Sequence, residues 1–245
     1  MLLLLPGLIC DARVFAPQLA AFAESRAVDG YGQANTLEGM ASVALEQAPD
    51  SFDLLGHSMG ARVALEVFRL APNRVRRLAL VSTGVHPLGA DEPAKRRALQ
   101  GIGHERGFEA LVDTWLPPMV AEGHRADAAL YVPMRRMCLD QGQAIFDAQI
   151  EALLNRPEQE SLLGRIECPT LVMTGELDGW SGPAQHEAMV ARLADATLTI
   201  VPGAGHMLPL EAPEAMNEAI AAWLEKPAGD RTLPRQPALG EARHD

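Results

Sequence analysis

The segment Gly56-His57-Ser58-Met59-Gly60 constrains this chain more than any other stretch. It follows the apolar run Phe52-Asp53-Leu54-Leu55 and precedes a helical pattern over residues 61–71. Strand, Gly-x-Ser-x-Gly, helix is the context in which this spacing has a mechanical meaning. The serine sits on a sharp strand-to-helix turn. Glycines on either side let the backbone turn and let neighbouring segments come close. The hydroxyl is then held out at the end of a sheet, where a base can reach it. The helix that starts there points its positive end at any negative charge forming on the spot.

A serine hydroxyl is a weak nucleophile. It needs a base, and the base needs an orienting acid. The run Pro169-Thr170-Leu171-Val172-Met173-Thr174 reads as a buried strand, and Gly175-Glu176-Leu177-Asp178 follows it. The apolar run at residues 196–201 is followed by Pro202-Gly203-Ala204-Gly205-His206. An aspartate and a histidine thus lie just beyond successive strand ends, where α/β sheets collect their reactive groups. Glu176 competes with Asp178, but strand alternation aims it elsewhere.

The rest of the pattern predicts a parallel sheet, because strands alternate with helices. Strands are expected at residues 2–5, 27–31, 51–55, 75–82, 170–174 and 196–201. Helices are expected at 15–23, 37–47, 61–71, 183–193 and 213–224. From 86 to 164 the alternation stops and the character is helical. After Lys226 the composition turns to Pro, Gly and charge, so residues 227–245 read as a mobile tail.

Composition excludes several classes. Apolar residues make up 48% of 245, ample for a sheet covered on both faces, and the motifs spread one site over the whole length. A formal charge of −11 with 21 basic residues argues against a nucleic-acid binder. The apolar start Met1-Leu2-Leu3-Leu4-Leu5 reaches Pro6-Gly7 too soon for a secretory signal, and no run approaches membrane-spanning length. Cys10, Cys138 and Cys168 are scattered, which fits a reducing cytoplasm better than a disulfide framework. The seven histidines show no metal-ligand spacing. Neither a metal nor a cofactor is expected.

Four motifs in order carry a family resemblance. They are Leu5-Pro6-Gly7-Leu8, the serine elbow, Gly175-Glu176-Leu177-Asp178, and Gly203-Ala204-Gly205-His206 with Leu210-Glu211-Ala212-Pro213. The chain resembles the α/β-hydrolase superfamily over residues 1 to about 225. It is similar to small bacterial carboxylesterases, enol-lactonases and cofactor-free haloperoxidase-like enzymes. The resemblance implies a mostly parallel sheet flanked by helices, divided as core 1–85, helical cap 86–164 and core 165–226. It departs from relatives by lacking the antiparallel hairpin that usually opens the fold. Six strands remain, in order 4-3-5-6-7-8 of the family's numbering. The first strand in space is left open unless the start codon lies upstream, or the tail or a second copy in a homodimer covers it.

The resemblance also implies roles. Ser58 attacks a carbonyl, His206 takes and returns the proton, and Asp178 holds the imidazole. The backbone N–H of Met59, and by resemblance that of Leu8, receive the oxyanion. Relatives often carry His-Gly where this chain has Pro6-Gly7. The expected substrate is a small or medium carboxylic ester, lactone or thioester. Carbon–carbon hydrolysis or a lyase reaction would use the same triad, and a retired ligand-binding protein would keep only the fold. A dehalogenase would need a carboxylate where Ser58 stands. Trp115, Met119, Met134, Met137 and Trp180 are expected to contact substrate. His57 is expected to support the site, His86 stands near enough to touch substrate, and Asp11 is expected to pair with Arg13. Arg96, Arg97, Arg135 and Arg136 are expected to face water, which favours an uncharged acyl group.

Overall fold

The structure is a computed structural model and describes residues 1–228. The expected tail therefore falls outside the described residues from 229 onward.

β1 (Leu2–Leu5) is four leucines, all buried. A strand covered on both faces must be apolar throughout. A 3-10 turn at Ala12–Phe15 leads into α1 (Ala16–Ala21), with Pro17 in its first turn. β2 (Ser25–Ala27) and α2 (Leu37–Gln47) follow. Thr36 caps α2 by accepting the Gly39 N–H at 3.0 Å. β3 (Phe52–His57) runs into α3 (Met59–Leu70), and β4 is Val75–Val81. Three helices separate β4 from β5 (Thr170–Gly175): α4 (Glu92–Arg106), α5 (Phe108–Trp115) and α6 (Ala128–Leu154). α6 kinks at Gly142, where φ is +76°. α7 (Pro183–Val190), β6 (Ala196–Val201), α8 (Leu208–Glu211) and α9 (Pro213–Leu224) complete the described chain.

The six strands lie in the order β2-β1-β3-β4-β5-β6, and every pair is parallel. This is the α/β-hydrolase arrangement expected without the opening hairpin. Register explains how the site assembles. Leu5 pairs with Gly56, His57 with Val81, Val81 with Met173, and Gly175 with Val201. The carboxyl ends are thus level, and the loops after β1, β3, β4, β5 and β6 open on one edge.

The second strand differs from expectation. It occupies Ser25–Ala27 rather than residues 27–31. Gly30, with φ +87°, bends the chain away, and Tyr31 turns inward so that its hydroxyl donates to the Pro6 carbonyl at 3.1 Å. The open edge is therefore only three residues long.

α3 is buried along nearly its whole length, from Met59 to Phe68, because the sheet covers one side and other segments the rest. Arg62 and Glu66 are buried with it. Among the described residues, no helix is long and apolar enough to cross a membrane.

Candidate active site

The elbow is built by sterics. A Cβ on Gly56 would collide with the Gly60 carbonyl and Ala61, and one on Gly60 would collide with the Leu5 and Pro6 carbonyls. Between them Ser58 adopts φ +57° and ψ −119°, a conformation L residues rarely take. The turn lifts its hydroxyl out of the ladder toward the loops after β5 and β6.

Ser58 Oγ lies 2.8 Å from His206 Nε2, and His206 Nδ1 lies 2.8 Å from Asp178 Oδ2. Asp178 and His206 are buried. Asp178 is held from behind: its Oδ1 accepts the Trp180 N–H at 2.9 Å and the Ser181 N–H at 2.8 Å. Burial pushes its carboxyl up, but His206 and these two N–H donors outweigh burial and hold the pKa at about 2. An ionised Asp178 requires a proton on His206 Nδ1, which leaves Nε2 free to accept from the serine. Ser181 Oγ adds a bond to Asp178 Oδ2 at 3.0 Å.

His57 stands behind the pair. Its Nε2 donates to the His206 carbonyl at 2.8 Å, and its Nδ1 has no partner among the described residues. Burial, and then the neighbouring His206, lower its pKa to about 3, so the ring is neutral. The loop carrying Leu8 is fixed from two sides. Ile9, at φ +45°, donates its N–H to Gln149 Oε1 at 2.7 Å, and Tyr31 holds Pro6. The Met59 N–H is the first amide of α3 and has no intrahelical acceptor. The Leu8 N–H likewise donates to nothing among the described residues. Ser58, Leu8 and Met59 all border one cavity of about 460 Å³.

Residues 2–219 match the Alpha/beta hydrolase family. The chain belongs to the α/β hydrolase family. It is 32% identical over 195 residues to the pimeloyl-[acyl-carrier protein] methyl ester esterase of Klebsiella pneumoniae, covering 73% of this chain and 75% of that one. It is also 32% identical over 185 residues to the polyketide synthase ThaQ of Burkholderia thailandensis; that match covers 71% of this chain but 8% of the synthase. Among solved structures it is similar to a thermophilic esterase from Thermogutta terrifontis, with TM-score 0.84 and 27% identity over 92% of this chain and 89% of that one.

In this α/β hydrolase the cavity wall includes Trp115, Met119 and Trp180. Met134 and Met137, expected beside them, lie elsewhere. They sit on one face of α6 with Cys138, and all three are buried in the hydrophobic core. Arg97, Arg135 and Arg136 pair with exposed or half-exposed carboxylates at the surface. Arg96 does not face water. α4 turns Arg96, Gln100 and Gly103 inward, and Arg96 is 8% exposed and borders the cavity. Its guanidinium lies 5.9 Å from the centre of the half-exposed Trp180 ring. His86 borders the cavity too; burial, and then Arg62, lower its pKa and keep it neutral. Asp11 pairs with Arg13 at 2.6 Å, and Glu176 accepts the Gly203 N–H at 3.2 Å, away from His206. Among the described residues, no group of three or more His, Cys, Asp or Glu is placed to hold a metal ion.

Sequence reasoning passed over Ser181, Gln149, Arg62 and Gln159. None lies in a motif. Gln149 and Gln159 act from 93 or more positions away in the chain, a reach no local pattern encodes.

Proposed function

We propose that this protein is a serine hydrolase that cleaves a carboxylic ester, lactone or thioester through an acyl-enzyme. The observation that carries the reading is the unbroken Ser58–His206–Asp178 chain, with both links at 2.8 Å. Ser58 Oγ attacks the carbonyl carbon while His206 Nε2 takes its proton. The carbonyl oxygen, now negative, accepts the N–H groups of Met59 and Leu8. When the carbon–oxygen or carbon–sulfur bond breaks, His206 returns the proton to the leaving group. Water then repeats the sequence on the acyl-serine, and the free acid departs. Asp178 stays ionised throughout and stabilises the imidazolium. Trp115, Met119 and Trp180 supply apolar contact for the substrate. Every group in this scheme comes from one chain.

The test combines labelling with turnover. A fluorophosphonate should form one adduct, placed on Ser58 by peptide mass spectrometry. Purified protein should hydrolyse members of a panel of esters, lactones and thioesters, and Ser58→Ala should abolish turnover with little change in thermal midpoint. Labelling with no turnover of the panel but cleavage of a vinylogous diketone would move the reading to carbon–carbon hydrolysis. Neither labelling nor turnover would mean a ligand-binding protein.

A further inference from the structure

One wall of the cavity is cationic, which the motifs do not explain. Arg62 lies on α3 one turn beyond Ser58, and both border the cavity. Arg62 is 7% exposed, yet it forms no bond to a carboxylate among the described residues. Its two hydrogen bonds are long and go to neutral oxygens: Gln159 Oε1 and the His86 carbonyl, each at 3.3 Å. Gln159 in turn donates to Glu66 Oε1 at 2.9 Å, and the other Glu66 oxygen is held by Arg69. The buried Glu66 carboxylate is thereby committed elsewhere.

Glu92, which also borders the cavity and attracts Arg62 through space, supplies only part of the missing charge. Its Oε1 accepts from Arg96 at 2.8 Å and from Arg156 at 2.7 Å, and its Oε2 accepts from Arg156 at 2.8 Å. Three guanidiniums, those of Arg62, Arg96 and Arg156, thus surround one carboxylate. Asp91 and Lys95 border the cavity as well, but they are exposed and opposite in sign. Burial, and then repulsion from Arg156, lower the Arg62 pKa to about 9, which leaves it charged at neutral pH. A buried charge with no carboxylate bonded to it, and only a shared one nearby, is costly unless something supplies another.

We infer that Arg62 is the anchor of an anion subsite, and that the substrate carries a carboxylate on a short chain from its scissile carbonyl. The planar guanidinium fork matches a carboxylate in bidentate fashion. Gln159 acts as a positioning residue that holds the fork toward the cavity. The inference rests on the serine-hydrolase reading of the same cavity, and it replaces the uncharged acyl group expected from arginines that face water.

The experiment compares kcat/KM for the monomethyl esters of succinate, glutarate and adipate, and for acetoxyacetate, with their neutral dimethyl or methyl-ester counterparts. For at least one pair the wild-type ratio should favour the anion by about 10-fold or more, the scale of a charge-assisted bond. That ratio should collapse in Arg62→Met, recover in part in Arg62→Lys, and shrink as salt rises. Binding is measured separately with glutarate, succinate and adipate on Ser58→Ala protein by calorimetry. Saturable binding is expected there, and its loss in the Ser58→Ala, Arg62→Met double variant. If Arg62→Met does not fold, the wild-type ratio and Arg62→Lys decide. Neutral esters preferred throughout, with no dicarboxylate binding to Ser58→Ala, would overturn the subsite while leaving the hydrolase intact. Arg62-dependent dicarboxylate binding without Ser58 labelling would keep the subsite and remove the hydrolase.

Discussion

The Glu211 carboxylate accepts the backbone N–H of Ala121 at 2.8 Å. The same buried carboxylate accepts the N–H of Gly205 at 3.1 Å and of Met207 at 2.9 Å, and lies 3.0 Å from His124 Nδ1. The His206 N–H donates to the Met119 carbonyl at 3.0 Å. The loop presenting His206 is therefore tied on both sides to the segment between β4 and β5. The position of the base and the wall of the cavity are set by one set of bonds.

Glu211→Gln should loosen that junction. An amide presents one acceptor oxygen where the carboxylate presents two, and its NH₂ faces N–H donors. The loss should be about 2 kcal/mol, the scale of hydrogen bonds to a charged group. A lower midpoint in denaturant unfolding and a kcat reduced about 10-fold or more are expected. Wild-type kcat in the variant would mean that His206 is positioned without this carboxylate.

Asp178→Asn should lower kcat by roughly 10⁴, as the comparable change does in a serine protease. The asparagine can donate to Nδ1, which turns the imidazole to the tautomer that cannot accept from Ser58. Its fold should persist, because Ser181 and Trp180 can still bond the amide oxygen. Steady-state kinetics beside a circular dichroism spectrum checks this. Retention of most activity would place the acid elsewhere.

His57 should make stability depend on pH. Its folded pKa, about 3, lies below the unfolded value of about 6.5. The stability it contributes is present in full above pH about 6.5 and is lost as pH falls toward 3, because only the unfolded chain takes up the proton. The slope in that window approaches about 1.4 kcal/mol per pH unit. His57→Gln, which can still donate to the His206 carbonyl, should flatten the decline between pH about 6.5 and 4.5. Below that, Asp178 and Glu92, both held at about 2, add their own loss as they protonate. Parallel slopes for the two proteins in urea titrations across that window would show that His57 is not held neutral.

The succession of strands and helices was legible because each strand is a short apolar run closed by turn residues. The exception is β2. Ser25-Arg26-Ala27 is a three-residue edge strand without an apolar signature, and its neighbour β1 alone makes it a strand. Met134 and Met137 show a second limit. Helical periodicity says that an apolar face is buried, but not whether it meets the core or the cleft.

What the chain order determined was local: a glycine-flanked serine that only a sharp elbow accommodates, and an aspartate and a histidine just past two successive strands. Those features depend on neighbours in sequence, so the residues that meet at 2.8 Å could be named from the sequence. Tertiary structure alone decided the polarity of the cavity. Arg62 and Glu66 are four apart on α3, and no motif marks either. Gln159, far along the chain, folds over them and buries both. α4 likewise turns Arg96 inward. Whether a charged side chain meets water or a cavity depends on what packs above it. That covering segment is distant in sequence, and no spacing within the helix records it.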